Sequence, residues 1–355
     1  MSSDYSPPRR GGEYLRRDFL KTLAAAGAGA MLPGAEFLAQ APRSGAELGL
    51  IDVHQHYQAP FMSEGDNSRW SVSRVIELMD KNGIATVILS GGAYGDRVYT
   101  GTESGRSMAR RLNEYAAKLV SDYPKRFGFF AVIPYPDADA SLREIEYAYE
   151  TLKADGVGIL SSIGDKWPGD AAFVPAFQEL NRRKAVAFIH PFVPKCCRDL
   201  IPAGEASVER DFDTTRAVTN LLYSGTLAQF PDIRYIINHS GAAVPVMAGR
   251  IKDRVPGAST YGAKQPTEGK TPKTPNGVFY ELRKLYYEIA HAAYPAAMAA
   301  LSTFAPPSQY LFGSDYPAED PASTINELKG VRLSPEVLRA LSRGNAERLF
   351  PRRKV

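Results

Sequence analysis

The chain has 355 residues, of which 44% are hydrophobic and 23% are charged, as expected for a globular protein with a large core. Its formal net charge of +4 is small for this length, and no basic stripe with interleaved aromatic residues is present, so nucleic acid is not an expected partner. The two cysteines, Cys196 and Cys197, are adjacent, so a structural disulfide between them is not expected.

The N-terminal segment has the features of an export signal. Arg16 and Arg17 precede a mildly apolar stretch, rich in Ala and Gly, that runs to Leu32. A twin arginine before such a stretch resembles a twin-arginine translocation signal, which is an address and not part of the fold. We therefore expect residues 1–41 to be the signal of a periplasmic or otherwise exported protein, and residues 42–355 to form one domain. No membrane span is expected, and a buried or amphipathic helix is the alternative.

From residue 49 onward, short apolar runs alternate with longer amphipathic stretches. The runs are continuous rather than alternating, as expected for parallel strands that are buried on both faces. The eight predicted strands are residues 50–56, 85–90, 127–134, 156–161, 185–190, 235–239, 285–289 and 310–315.

Helical patterns fill the intervals between these runs. They start at Ser71 and lead to Gly83, and they continue over residues 107–119, 140–152 and 173–181. Eight β/α alternations predict a (β/α)₈ TIM barrel rather than a doubly wound sheet, whose first strand is normally followed by a glycine-rich phosphate turn. Polar loops are expected at residues 196–211 and 254–276, on the side of the barrel where active-site loops project.

Metal-binding or proton-transferring side chains close four of the predicted strands. His54 and His56 end the first strand, His190 the fifth, His239 the sixth and Asp315 the eighth. Side chains two apart on a strand point to the same side, so the first two histidines both face the barrel interior. The C-terminal ends of the strands form the active site of a TIM barrel, so these side chains are expected to meet.

Three imidazoles and one carboxylate suit Zn²⁺ first, with Mn²⁺, Co²⁺ and Fe²⁺ as alternatives. The expected ligands are His54, His56, His190 and Asp315. His239 is placed to act on a bound water rather than to bind the ion, so it and Asp315 are the expected catalytic residues. A single histidine is often only a satisfied core residue, but the coincidence at matching strand ends favours a metal site.

The motifs IDVHQH, FIHP, NHSG and FGSDYP, with GDKWPGD and FDTTRAVTNLLYSG, resemble those of the amidohydrolase-related (amidohydrolase 2) family. This group contains aminocarboxymuconate semialdehyde decarboxylase and 6-methylsalicylate decarboxylase. The resemblance covers roughly residues 49–350 and implies a TIM barrel of the metal-dependent hydrolase type, with the ligands named above holding a catalytic Zn²⁺. The fourth predicted strand lacks the bridging lysine or acidic residue of two-ion relatives, so one ion is expected.

The resemblance also implies how a substrate is held. In related decarboxylases, an arginine eleven residues after the NHSG histidine contacts the substrate carboxylate from a neighbouring subunit, and Arg250 stands at that offset. A solvated helix arginine is the alternative, and the family is commonly dimeric, so a homodimer is implied. His291 follows an atypical seventh-strand segment and is a candidate substrate contact, with a loop histidine that has no role as the alternative. The candidate residues for an aromatic pocket are Trp167, Phe192, Tyr94 and Tyr316, and core packing is the alternative for each of them.

The expected activity is non-oxidative decarboxylation of an aromatic or unsaturated carboxylic acid, a small-molecule substrate. The alternative is a single-zinc hydrolase that uses the same residues on a lactone or an amide. A barrel that has lost catalysis and only binds a ligand is a third interpretation. The presence of every expected site residue argues against it. Release of CO₂ distinguishes the first activity from the other two.

Overall fold

The computed structural model describes residues 49–62, 70–91, 95–198, 200–201, 205–257 and 267–355. The twin arginine and the rest of the predicted signal lie outside this part of the chain, as does Tyr94. Within the described ranges, no helix combines the length and the apolar character that crossing a membrane requires.

Eight parallel strands form the barrel, and each pairs with the next in chain order. The strands are β1 Leu50–His56, β2 Ile84–Ser90, β3 Phe127–Val132, β4 Gly156–Leu160, β5 Val186–His190, β6 Arg234–Ile237, β7 Tyr286–Glu288 and β8 Tyr310–Leu311. The ring closes where His56 N donates to Tyr316 O at 2.7 Å and Asp315 N donates to His54 O at 2.7 Å. The predicted (β/α)₈ barrel is confirmed.

Helices follow the strands around the outside of the barrel. In the described residues they are α1 Val72–Asn82, α2 Gly95–Val98, α3 Glu103–Asp122, α4 Ala138–Glu150, α5 Val174–Arg182, α6 Arg210–Ser224, α7 Thr226–Gln229, α8 Val244–Asp253, α9 Val278–Arg283, α10 Pro295–Phe304, α11 Pro321–Lys329, α12 Pro335–Arg339 and α13 Asn345–Leu349. As predicted, α1 starts after Ser71, whose side chain accepts from Arg74 N, and ends at Gly83, which has a φ of 66°.

Several predicted strands are too long, and at β6 and β8 the error falls on site residues. β6 ends at Ile237 and β8 at Leu311, so His239 and Asp315 lie in turns beyond the strands rather than at their ends. Both residues adopt left-handed backbone, with φ of 50° and 60°. After β8 the backbone bonds to β1 instead of continuing to pair with the short β7, which is why the ladder stops early.

The predicted polar loop at residues 196–211 is also only partly correct. Glu205–Glu209 forms a π-helical turn and α6 begins at Arg210, so the last residues of this segment are helical. This helical start brings the first turn of α6 over the barrel mouth, where it contributes to the site described below.

A column of side chains fills the lower part of the barrel and forms the floor of the site. Phe350 packs on Phe130, Phe130 stacks on Phe188, and the Phe188 ring lies 4.8 Å from the ring of His54. The polar residues above this column are therefore closed off from solvent from below, which strengthens electrostatic interactions among them.

Candidate metal centre

Four side chains converge at the C-terminal mouth of the barrel: His54, His56, His190 and Asp315. Their ligand atoms lie within 4.8 Å of one another, and all four residues are buried. Asp315 Oδ1 lies 3.1 Å from His54 Nε2 and 2.8 Å from His56 Nε2. His56 Nε2 in turn lies 3.0 Å from His190 Nε2. The structure thus brings together the four residues that the sequence predicts as ligands.

A local irregularity in β1 aims its two histidines into the barrel. In the register with β2, Asp52 pairs with Val87 but Gln55 pairs with Leu89, so β1 holds one extra residue. Such a bulge turns the side chains that follow it to the other face of the strand. This is why His54 faces the barrel interior even though its neighbour Val53 also does. The sequence gives no direct sign of this bulge.

The arrangement of polar atoms fits a divalent cation. His54 Nε2 and Asp315 Oδ1 are buried without a well-aligned hydrogen bond to any described residue. The facing nitrogens of His56 and His190 share at most one proton. Atoms that bind one ion at about 2 Å lie about 3 Å apart, close to the distances found here. Three imidazoles and one carboxylate are a suitable donor set for Zn²⁺ or a similar ion.

The electrostatics of the cluster also favour positive charge. Burial lowers the pKa of His54, but the carboxylates of Asp315 and Glu288 more than offset this and raise it to about 10. Burial raises the pKa of Asp315, but His54 and then His291 hold it well below its usual range. In the absence of an ion, a proton on His54 thus carries the positive charge that these carboxylates stabilise.

Glu288 is a fully buried carboxylate that sequence reasoning did not assign to the site. Its Oε1 accepts hydrogen bonds from His54 Nδ1 at 2.9 Å and from the backbone N–H of His239 at 2.8 Å. Its Oε2 accepts from the backbone N–H of Ala290 at 2.7 Å. Glu288 therefore fixes the ring of His54 so that Nε2 faces the cluster, and it also anchors the turn that carries His239. A lone acidic residue inside a buried apolar run was the available signal.

His239 lies beside the cluster and has a carboxylate partner of its own. His239 Nδ1 lies 2.7 Å from Asp211 Oδ1, in the first turn of α6. Its Nε2 is buried without a hydrogen bond to any described residue and lies 3.9 Å from Asp315 Oδ2. Asp211 was predicted only as the end of a polar loop, yet it orients the imidazole toward the cluster. This is the arrangement expected of an acid–base histidine.

His291 also contacts the cluster, but through Asp315. His291 Nε2 lies 3.0 Å from Asp315 Oδ2, and His291 Nδ1 lies 2.8 Å from Glu319 Oε2. Its side chain remains 37% exposed, so it forms part of the wall between the cluster and solvent. His239, His291 and Asp315 all have left-handed backbone, which is costly for residues other than glycine and tends to concentrate at functional sites.

The remaining predicted site residues differ in burial and in the residues that they contact. Trp167 is partly buried and donates its indole N–H to Asp213 Oδ1 at 2.8 Å. Tyr316 is buried at the β1 junction, and Phe192 is partly buried with Arg198 at 6.0 Å from its ring centre. Arg250 is exposed on α8 and has no contact to the cluster among the described residues.

Replacing Glu288 by Gln is expected to weaken metal binding about 10- to 100-fold, the usual cost of losing the carboxylate that orients a histidine ligand. The amide would place an NH₂ group against N–H donors that the carboxylate accepts from. Metal titration of the purified variant measures the effect. Glu144→Gln is the matched control, since Glu144 is a buried carboxylate between α3 and α4. Equal metal affinity of Glu288→Gln and wild type would contradict the orienting role.

A (β/α)₈ barrel with a buried histidine–aspartate cluster at its C-terminal mouth defines the class of metal-dependent barrel enzymes. Comparison with known families narrows this class. The model of the amidohydrolase family matches residues 51–352. The chain belongs to this family. A twin-arginine translocation signal model matches residues 16–33.

The relatives found by sequence are decarboxylases. The chain is 34% identical over 332 residues to the decarboxylase yanB of Aspergillus niger, with 85% of this chain and 87% of that protein covered. It is 33% identical over 328 residues to the 6-methylsalicylic acid decarboxylase of Penicillium expansum, with 86% and 97% covered.

A similar fold is found in the dihydroxybenzoic acid decarboxylase of a Polaromonas species, solved with manganese and the inhibitor 2-nitroresorcinol. Its TM-score is 0.72 at 21% identity, with 86% of this chain and 98% of that one covered.

Proposed function

We propose that this protein is a metal-dependent decarboxylase that removes the carboxyl group of an aromatic carboxylic acid without an oxidant. The observation that carries the proposal is the buried cluster of three histidines and Asp315, with His239 beside it. The decarboxylase relatives, which align with 85% and 86% of the chain, favour this activity over lactone or amide hydrolysis.

His54, His56, His190 and Asp315 would hold the ion. A divalent ion at this place supplies Lewis acidity and a fixed positive charge for the oxygens of an anionic substrate. Zn²⁺ is the ion we propose from the donor set, and Mn²⁺ is the principal alternative because a structurally similar decarboxylase was solved with manganese. Metal analysis of the purified protein decides between them.

The protein's own residues position the acid and transfer one proton to it. His239 Nε2, which is buried and aimed at the cluster, delivers a proton to the ring carbon that bears the carboxyl group. The bond from that carbon to the carboxyl carbon then breaks, its electron pair restores the aromatic ring, and CO₂ leaves. Asp211 holds the imidazole in orientation throughout, and Asp315 provides the negative charge that faces it.

The substrate class follows from the relatives and from the walls of the site. A 6-methylsalicylate decarboxylase and a dihydroxybenzoate decarboxylase are both similar to this chain, so an ortho-hydroxylated benzoic acid is the substrate we propose. A cavity of about 370 Å³ beside His239 and His291 is lined largely by small apolar residues, including Ala292 and Ala296. This lining suits an uncharged ring substituent rather than a second acidic group.

An assay of the metal-loaded protein tests the proposal. Salicylate-like acids and aromatic lactones are supplied separately, and CO₂ and ring-opened product are measured in parallel, with His239→Ala as the control. Release of CO₂ that disappears in the variant supports decarboxylation. Ring opening without CO₂ would instead establish hydrolysis, and neither product with any substrate would favour a barrel that only binds a ligand.

The protein acts as a homodimer in which Arg250 reaches the substrate carboxylate of the neighbouring subunit. The exposed position of Arg250 on α8 is compatible with a role between subunits. Arg250→Ala is expected to lower activity at least about 10-fold, the loss expected when a hydrogen bond to a charged group is removed. Mixed dimers of Arg250→Ala and His239→Ala subunits should regain activity, since one of their sites has both residues intact. A monomeric protein, or mixed dimers without regained activity, would contradict this role.

The twin-arginine signal directs the folded, metal-loaded enzyme out of the cytoplasm into the periplasm. The signal match at residues 16–33 supports this proposal. Changing Arg16 and Arg17 to Lys is expected to retain the protein in the cytoplasm, as measured by cell fractionation. Unchanged export of this variant would show that another route is used.

A further inference from the structure

We infer that Arg210 binds the carboxylate of the substrate within its own subunit. Arg210 is the first residue of α6, and no comparison or motif points to it. This inference rests on the proposed function for the nature of the ligand, an aromatic carboxylate. It concerns an arginine side chain at the barrel mouth and is separate from the contribution proposed for Arg250.

Contacts of three residues on α6 show which face of this helix is turned toward the barrel. Asp213 accepts from Ser161 Oγ at 2.6 Å, directly after β4, and Thr214 Oγ1 donates to Asn238 Oδ1 at 2.9 Å, directly after β6. Asp211 contacts His239. Residues three and four apart share one helix face, so Arg210 lies on the face that carries Asp213 and Thr214.

This face places Arg210 above the end of β5. β5 lies between β4 and β6 in the barrel and ends at His190. Side chains on a helix lean toward its N-terminus, and Arg210 stands one turn before its two neighbours on the face, so its side chain extends over the mouth. The positive charge of Arg210 acts on the imidazole of His190, which agrees with this position.

The guanidinium of Arg210 has no partner among the described residues. The side chain is partly buried, and among the residues that the structure describes it makes no hydrogen bond or ion pair. Burying part of an unpaired arginine costs free energy, and a bound anion would offset this cost. The planar guanidinium group can donate two parallel hydrogen bonds to a carboxylate. Trp167 donates its indole N–H to Asp213 on the same helix face, so an aromatic side chain lies next to that face.

This position has a consequence for turnover. The substrate carries the carboxylate that Arg210 binds, and the phenolic product does not, because the carboxyl group leaves as CO₂. Arg210 therefore favours the acid over the product and helps the product to leave. The predicted signature is a difference in affinity between an acid and the corresponding phenol that depends on this one side chain.

Binding measurements on the metal-loaded, full-length protein test the inference without requiring turnover. Salicylate and phenol are titrated calorimetrically into wild type, Arg210→Gln, Arg210→Lys and the control Arg182→Gln, which removes an exposed arginine at the end of α5. Arg210→Gln is expected to raise the Kd of salicylate about 10- to 100-fold and to leave phenol binding unchanged. The Kd of salicylate for Arg210→Lys should lie between those of wild type and Arg210→Gln, since lysine keeps the charge but cannot donate the two parallel hydrogen bonds.

Three outcomes would overturn the inference: salicylate binding that is unaffected by Arg210→Gln, equal weakening of salicylate and phenol, and failure of the metal-loaded wild type to prefer salicylate. Metal content and thermal melting of each variant separate a local loss of binding from unfolding, and Arg210→Lys keeps the test valid if the Gln variant is unstable. Absence of CO₂ release by wild type would count against the proposed function, whereas the affinity difference tests Arg210 itself.

Discussion

Replacing Asp315 by Asn is expected to abolish catalysis and to weaken metal binding by more than about 100-fold, because the loss of an orienting partner alone costs 10- to 100-fold. Asp315 Oδ1 lies between the Nε2 atoms of His54 and His56, so its charge is central to the cluster. An amide keeps the shape but removes the negative charge that attracts a divalent ion. Metal titration and single-turnover assays of CO₂ release measure the two effects.

The control for this prediction is Asp320→Asn, five residues further along the chain. The Asp320 side chain caps α11 by accepting from Ala322 N and lies at the surface. Its replacement changes the same charge near the same end of the barrel and should leave metal content and activity unaltered. If Asp315→Asn binds metal and turns over like wild type, the cluster is not the metal site.

Replacing His239 by Ala is expected to lower kcat about 10²- to 10⁴-fold, the usual contribution of a positioned proton donor or acceptor. Metal content should stay close to that of wild type, because His239 Nε2 lies 3.9 Å from Asp315 and outside the four-residue cluster. KM should change little if the residue acts on the proton and not on binding. Steady-state kinetics of metal-loaded protein, with metal analysis of the same sample, measure these quantities.

Asp211→Asn provides a graded comparison for His239. Asp211 orients the imidazole from 2.7 Å, so its replacement should lower kcat by less than the loss of His239 itself. The double variant should be no slower than His239→Ala, because the two residues act as one unit. A His239→Ala variant that lost its metal, or one with wild-type kcat, would remove His239 from the proton-transfer role.

The apolar runs were sufficient to predict the barrel because parallel strands buried on both faces are continuous in hydrophobicity. β1 was placed correctly, and β2 to β5 to within one or two residues. β6 and β8 were predicted too long, because the residues that follow them remain buried while their backbone leaves the sheet. Hydrophobicity reports burial, and it does not report which strand the backbone bonds to.

The predicted ligands meet because they come from strand ends, which the fold brings together. The residues that orient His54 and His239 were missed for a physical reason. Glu288 is one carboxylate in a short strand, and Asp211 is one of several acids in a polar segment. Their roles depend on which imidazole they face, and this is decided by the closure of the barrel and by the first turn of α6. The position of Arg210 in the same turn is decided in the same way.

The decisive experiment for decarboxylation is to identify the product that the metal-loaded protein forms from an ortho-hydroxylated benzoic acid in D₂O. We predict one CO₂ per acid consumed and a single deuterium on the ring carbon that carried the carboxyl group, with both lost in Asp315→Asn. Stoichiometric metal at the cluster without CO₂ release, across a panel of such acids, would contradict the assignment of this barrel as a decarboxylase.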